Sequence, residues 1–164
     1  LGRSFAETGA LATACVMSLV LPAPSGLPDG LPKVHPSEPA GTDKDLLAQL
    51  AKQLETNGEM LEMMLKKRAD QILAINKVEA LALSASPFVK RTGGVRYLGA
   101  AAKTLQVLYD ADVLSEEAII AWGQQKQAAL SLDPDMDARF FEKAKPFISW
   151  LEEASSSEEE SDEE

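Results

Sequence analysis

Three observations predict an all-α fold of antiparallel helices, packed as a bundle or a short solenoid of helical hairpins. Aromatic residues make up only 5% of the 164 residues, whereas Ala, Leu, Glu and Lys are common, as in helical proteins. From Thr42 onward, apolar residues recur at three- and four-residue spacing. Short breaks rich in Gly, Pro, Asp or Asn separate those stretches. The length suits one domain with a core, since two would each be too small to bury enough surface.

The chain begins with Leu1 and not Met, as expected of a fragment, a processed product or an incomplete gene model, and residues 1–41 are set apart from the domain. Gly9 to Leu21 is a weakly apolar run within that segment. A membrane span needs about 20 apolar residues, which makes the run too short, and Glu7 ahead of it counts against a secretory leader. Six of the nine prolines (Pro22, Pro24, Pro28, Pro32, Pro36 and Pro39) then fall among Gly26, Gly30 and Gly41. This is the composition of a disordered linker with no packed core.

Leu46, Leu47, Leu50 and Leu54 define a first helix behind a cap at Thr42 or Asp43, and Asn57-Gly58 offers a stop. A longer helix is expected from about Glu59 to Ser84. Its stripe is Leu61, Met64, Leu65, Ile72, Ile75, Val78 and Leu83, and Ser86-Pro87 breaks it. Met60, Met63 and Met64 suit core filling better than a plastic binding face. Lys90 to Gly94 reads as a loop. Val95 to Tyr109 then forms a helix burying Val95, Leu98, Ala102, Leu105 and Leu108, ended by Asp110-Ala111-Asp112. Ser115 caps the next helix, with Glu116 and Glu117 in a first turn where the helix dipole favours their charge. Asp133-Pro134 repeats that grammar for a last helix carrying Phe140, Phe141, Phe147, Ile148, Trp150 and Leu151, kinked or restarted at Pro146.

The formal charge of −10 is unevenly spread. Residues 152–164 hold eight acids and no base, which leaves 16 bases against 18 acids in the rest of the chain. No cluster of Lys and Arg exists to replace nucleic-acid counterions, so the balance points to a basic protein partner, with no direct nucleic-acid or membrane binding. Cys15 is the only cysteine, which excludes an internal disulfide or a multi-cysteine zinc site and fits a reducing, cytoplasmic setting. His35 is the only histidine and lies among prolines, where a general base would be hard to position. Gly93-Gly94 lacks the residues of a phosphate-binding loop. The chain is therefore read as a non-enzyme with no cofactor and no metal.

Two segments combine acids with aromatics. The first runs from Leu108 through Tyr109, Asp110, Asp112, Ser115, Glu116 and Glu117 to Trp122. The second runs from Pro146 through Phe147, Trp150, Glu152, Glu153, Glu158, Glu159 and Glu160 to Glu164. These acids and aromatics are the candidate partner-binding residues. One exposed ion pair contributes only ~0.2–1 kcal/mol, so several must act together. The tail is expected to steer encounter and the folded acids to give specificity. Tyr109, Trp122, Phe147 and Trp150 have aliphatic neighbours at helical spacing, which favours core packing over cation–π contact with a lysine.

The two segments resemble the acidic and aromatic boxes of the W2 domain, the helical HEAT-like C-terminal domain of eukaryotic translation initiation factor 5. That domain also occurs in the epsilon subunit of initiation factor 2B, in factor 5-mimic proteins and in some initiation factor 4G proteins. The resemblance is close from Leu105 to Glu164, diffuse from Leu46 to Ala102 and absent from residues 1–41. It implies a HEAT-like domain over residues 42–154, shortened at its front, and a disordered acidic tail at 155–164. It also implies a non-catalytic adaptor that docks lysine-rich segments of the beta subunit of initiation factor 2, with initiation factors 1 and 3 as further partners. Ser155, Ser156, Ser157 and Ser161 each have Glu three residues on, a context similar to casein kinase 2 sites. A phosphate there adds about −1.5 to −2 charge and should strengthen capture of a basic partner. Gly123 stands where the family often has a bulky aromatic. The alternatives are nucleotide exchange on factor 2, as for the 2B epsilon subunit, and a factor 5-mimic that competes for the same partners. Outside the family, the alternative is a helical domain whose acidic tail buffers basic proteins.

Overall fold

The computed structural model describes residues 5–20, 43–83 and 95–159. Among them lie seven helices and no strand: α1 (Phe5–Ser18), α2 (Asp43–Met64), α3 (Arg68–Ala82), α4 (Val95–Gly99), α5 (Ala101–Asp110), α6 (Glu116–Leu132) and α7 (Arg139–Glu159). No helix among these residues is long and apolar enough to cross a membrane. The Pro-rich stretch, His35, Ser86-Pro87 and the Lys90 to Gly94 loop fall outside the described residues.

The expectation that residues 1–41 stand apart as a disordered segment fails at α1. A run too short to span a bilayer is the right length for a core helix. Ala10, Thr13, Ala14 and Met17 face inward at helical spacing, and their small side chains let α1 lie against α3 and α2. The approach at Gly9 is so close that an added Cβ would stand 2.9 Å from Leu65 Cδ2 and Met64 Cβ. Thr13 Oγ1 donates to Gly9 O (3.0 Å), and the buried Tyr97 hydroxyl donates to Met17 O (2.6 Å), pinning the far end of α1 to α4.

Three expected breaks also move. Helix α2 runs through Asn57-Gly58, because Gly58 is buried where α2 passes the carbonyl of Ala111, and that packing overrides weak local propensity. The break comes instead at Leu65 to Lys67, where Gln71 Nε2 donates to the Leu65 carbonyl (2.9 Å), so the expected helix from Glu59 to Ser84 is divided. Val95 to Tyr109 divides likewise at Ala100, which leaves helical geometry (φ −114, ψ 28). Asp133 ends α6 instead of opening α7, and its Oδ1 accepts from Asp135 N (3.2 Å) in a turn. Helix α7 begins at Arg139, whose backbone N–H and guanidinium both donate to Asp137 Oδ1.

Pro146 neither restarts nor ends α7. Phe140, Phe141, Ala144, Phe147, Ile148 and Leu151 are buried on both sides of it, so packing holds the two halves in one helix despite the lost N–H. The helix also continues to Glu159, so residues 155–159 are helical where a disordered tail is expected, and only residues 160–164 lie beyond the described part.

The core joins all the helices. Leu46, Leu50, Leu54 and Leu61 of α2 belong to one buried cluster with Ile75 and Val78 of α3, Leu105 and Leu108 of α5, Trp122 of α6 and Phe140 of α7. Helices α2 and α5 lie side by side in the same direction, with Asp43 beside Gly99 at one end and Gly58 beside Ala111 at the other.

Candidate functional site

The first acidic segment begins where α5 ends. Leu108 and Val113 are both buried, and the chain must reverse between them. It does so in a Schellman motif: Val113 N–H donates to Leu108 O (3.1 Å) and Asp112 N–H to Tyr109 O (3.0 Å). Asp112 takes the left-handed position of that motif, with φ 57, which Asp tolerates better than most residues. Its carboxylate is thereby fixed outward, next to the exposed Asp110.

Ser115 caps α6 as expected, its Oγ accepting from Ala118 N (3.4 Å). Its own N–H donates to Gln71 Oε1 (2.8 Å), while Gln71 Nε2 holds the Leu65 carbonyl. One amide side chain therefore fastens the acidic turn to the end of α2. Glu117 is exposed and Glu116 half-buried in the first turn of α6.

Asp110 and Asp112 form a ridge between two grooves, each about 440 Å³. Tyr109, Leu114, Ser115 and Glu116 line the first. On the other side Glu55, Glu59 and Glu62 of α2 stand over a floor of Ala51, Leu54, Gly58, Val107 and Ala111. Sequence reading misses these three glutamates. Their i, i+4, i+7 spacing is the signal that they share one helix face.

The aromatics divide. Trp122 is 1% exposed, sits edge-on to Phe140 and Phe141 (6.0 and 5.9 Å), and donates from Nε1 to Asn76 Oδ1 (3.0 Å). Phe147 is also buried. Their burial corrects their place among the binding candidates: both belong to the core that positions the surface residues. Trp150 is 55% exposed and stacks on Phe147 at 5.8 Å and 13°, while the half-buried Tyr109 meets the Phe147 edge at 6.1 Å. The Tyr109–Phe147–Trp150 row thus joins the two acidic segments into one surface. The Ser155 hydroxyl adds a second tie by donating to the Glu116 carboxylate.

Glu152 and Glu153 are exposed on the last turns of α7, and Ser156 Oγ donates to Glu152 O (2.8 Å). The side chains of Ser157, Glu158 and Glu159, and all of Glu160 and Ser161, fall outside the described residues.

One further electrostatic feature joins α3 to α6. The buried Glu79 of α3 and the half-buried Lys126 of α6 form an ion pair at 2.6 Å, with Lys126 Nζ 6.0 Å from the Trp122 ring centre. Burial raises the Glu79 pKa above its ordinary value even though Lys126 opposes the shift, and Glu79 Oε1 has no hydrogen-bond partner. The arrangement as a whole is a rigid array of carboxylates beside an exposed indole, which suits long cationic side chains.

Residues 70–163 match the family model described as W2: eIF4-gamma/eIF5/eIF2-epsilon. Over 112 residues, 68% of this chain and 22% of the relative, the sequence is 30% identical to eukaryotic translation initiation factor 5 of Zea mays. Over 63 residues, 38% of this chain and 13% of the relative, it is 48% identical to eukaryotic translation initiation factor 5 of Phaseolus vulgaris. The aligned parts therefore amount to about a fifth or less of those relatives' length. No solved structure matches the chain. The family match runs from α3 through both acidic segments and covers more than half of the chain, and its helical character agrees with the all-α architecture: the chain belongs to the W2 family.

Proposed function

We propose that this W2-family domain serves translation initiation as an adaptor, capturing lysine-rich segments of a basic partner. On the family resemblance, that partner is the beta subunit of initiation factor 2, with initiation factors 1 and 3 recruited to the same cytoplasmic assembly. The supporting observation is the Asp110–Asp112 ridge, flanked by acidic grooves and joined through Tyr109 and Phe147 to the exposed Trp150.

An extended basic segment lying across the ridge would present lysines to both grooves. Their stems would cover the apolar floor at Ala51, Leu54 and Val107, and their ammonium groups would reach the flanking carboxylates. Each such contact is worth ~0.2–1 kcal/mol, so affinity comes from the number of acids held in place. The acids of residues 152–164 raise the encounter rate and are screened over ~8 Å at physiological salt. Phosphate on the exposed Ser156 would add charge along this edge, whereas phosphate on Ser155 would meet Glu116 head-on.

The test is the neutral variant Asp110→Asn/Asp112→Asn/Glu116→Gln/Glu117→Gln against deletion of residues 152–164, with a labelled lysine-rich peptide as probe. Summing the exposed-pair range over the four acids, the neutral variant should weaken binding by at least about fourfold while circular dichroism stays unchanged. Deletion should chiefly slow association. If the neutral variant binds as tightly as wild type and the deletion abolishes binding, the folded surface is not the site.

A further inference from the structure

The outer face of the α6–α7 hairpin carries a groove of about 510 Å³ that shares no lining residue with the two grooves beside the Asp110–Asp112 ridge. On α7 it runs from Phe141 to Glu152, about 16 Å along the helix axis. Gly123 brings α6 so close to α7 that an added Cβ would stand 3.2 Å from Ile148 Cγ2, and Ile148 and Phe141 form the floor. The rims are polar: Gln124, Gln127 and Ser131 on α6, and Lys145, Ser149 and Glu152 on α7. In a chain of net charge −10, this lining is balanced, with one base and one acid.

We propose that this groove is a two-fold interface between copies of the chain. Lys145 and Glu152 lie seven residues apart, two helical turns, so they share one face of α7. Their midpoint falls between Ile148 and Ser149. A two-fold axis through that point sets a second α7 antiparallel to the first. It brings Lys145 of each copy level with Glu152 of the other, so the ion pair forms twice. The centre of the contact is the small Ser149, faced across the groove by Ala128, which lets the helices approach closely. Gln124 and Gln127 each carry a donor and an acceptor, so either can meet an identical amide.

Lys145 is already laid along the groove. Its Nζ stands 5.1 Å from the Phe141 ring centre and donates to Glu142 Oε1 (2.9 Å), while 44% of the side chain remains exposed. An ammonium with three N–H groups can hold a second carboxylate beside the first. An isologous contact requires every feature to meet its own counterpart, and a base and an acid equally far from a small centre satisfy that requirement. The acid-rich remainder of the surface repels its own copy. A contact of this length lies at the small end of specific interfaces, so the dimer is weak and reversible. The proposal does not rest on the role assigned to the ridge, since Asp110 and Asp112 take no part in it.

The experiment is sedimentation velocity on the full chain from about 10 μM to about 1 mM at physiological salt, where wild type should shift from monomer to dimer. Lys145→Glu or Glu152→Lys alone sets like charges against each other at both contacts. Each should raise the dimer dissociation constant at least about fourfold with unchanged circular dichroism. Glu152→Lys is the sharper arm. It changes the net charge from −10 to −8, so relief of overall repulsion would tighten association where loss of pairing loosens it. Lys145→Glu/Glu152→Lys should associate like wild type, and an equimolar mixture of the two single variants should form mixed dimers, each chain supplying the charge that the other lacks. Wild type that stays monomeric throughout would overturn the proposal. Single variants that associate as tightly as wild type would also overturn it, as would a mixture that fails to associate where wild type does.

Discussion

Replacing Asp112 by Gly should move stability and affinity in opposite directions, which makes it a sharper test of the ridge than any loss-of-fold variant. Asp112 occupies the left-handed position of the turn, with φ 57, between the buried Leu108 and Val113. Glycine adopts that conformation freely, whereas a residue with a Cβ gives up about 1 kcal/mol there, less for Asp than for most. Asp112→Gly should therefore raise stability by up to about 1 kcal/mol, or roughly 2–4 °C in melting temperature for a chain of this size. The same change deletes one fixed carboxylate. At ~0.2–1 kcal/mol per exposed pair, affinity for a lysine-rich peptide should fall by a factor between about 1.4 and 5.

Asp112→Asn serves as the control, since Asn also tolerates the left-handed position: it should lose the same affinity with little change in stability. Asp112→Val should lose both, because a β-branched residue at positive φ is strained. Thermal unfolding by circular dichroism and peptide titration by anisotropy read the two quantities separately. If Asp112→Gly lowers the melting temperature, the turn does not require the geometry described. If it raises the melting temperature and leaves affinity untouched, Asp112 is a structural residue and the ridge has been misassigned.

Four other expectations concern the packed helices and the exposed Trp150. Lys126→Met strands the Glu79 carboxylate between α3 and α6 and should cost about 3–5 kcal/mol in urea unfolding, most of it recovered in Glu79→Leu/Lys126→Met. Because burial raises the Glu79 pKa above 4.5, its favourable contribution is complete below that ordinary value and is lost as pH rises through the raised one. Wild type should accordingly gain stability relative to Glu79→Gln as pH falls from neutral toward 4.5. Trp122→Ala should cost about 3–5 kcal/mol, whereas Trp150→Ala should cost about 1 kcal/mol or less and weaken lysine-peptide binding about two- to fivefold. In Gly123→Ala, the new Cβ would stand 3.2 Å from Ile148 Cγ2 and Cδ1. The stiffness of a β-branched neighbour should make the change destabilising by about 1 kcal/mol despite better helix propensity, and Ile148→Leu should relieve it.

Features encoded within a few residues were legible in the sequence. The Ser115 cap, the end of α5 at Asp110 and the apolar stripe of α7 need only nearest neighbours to be recognised, and the structure has all three. Features that depend on distant contacts were not legible. Helix α1 is held by a bond from Tyr97, 80 residues on, and by small residues whose value lies in the closeness of approach they permit. Asn57-Gly58 looks like a stop until Ala111 is seen packed beside it. Asp133-Pro134 has the grammar of a helix start yet forms a turn, closed by Asp135 N on Asp133 Oδ1 and Met136 N on Asp133 O, and the helix waits for Arg139. At the site, both acidic segments could be read but their third component could not. Glu55, Glu59 and Glu62 stand about 50 residues before the Asp110–Asp112 ridge, and only the parallel course of α2 and α5 brings them to it.

The connection between the two acidic segments explains why aromatics recur beside acids in this surface. Carboxylates fixed near one another repel, and a flexible chain would relieve that repulsion by spreading them apart. Here Leu108, Phe147 and Leu151 are buried, Tyr109 and Trp150 flank the same ring, and Gln71 and Ser155 tie the turns that carry the charges. Apolar packing thus supplies the energy that keeps the acids close, and a bound polycation would return part of it by neutralising them. Neutralising the ridge acids should on this account stabilise the free domain while weakening capture. A ridge-neutral variant that melted below wild type would show instead that the acids hold the fold, and the division of labour between ring and carboxylate would be wrong.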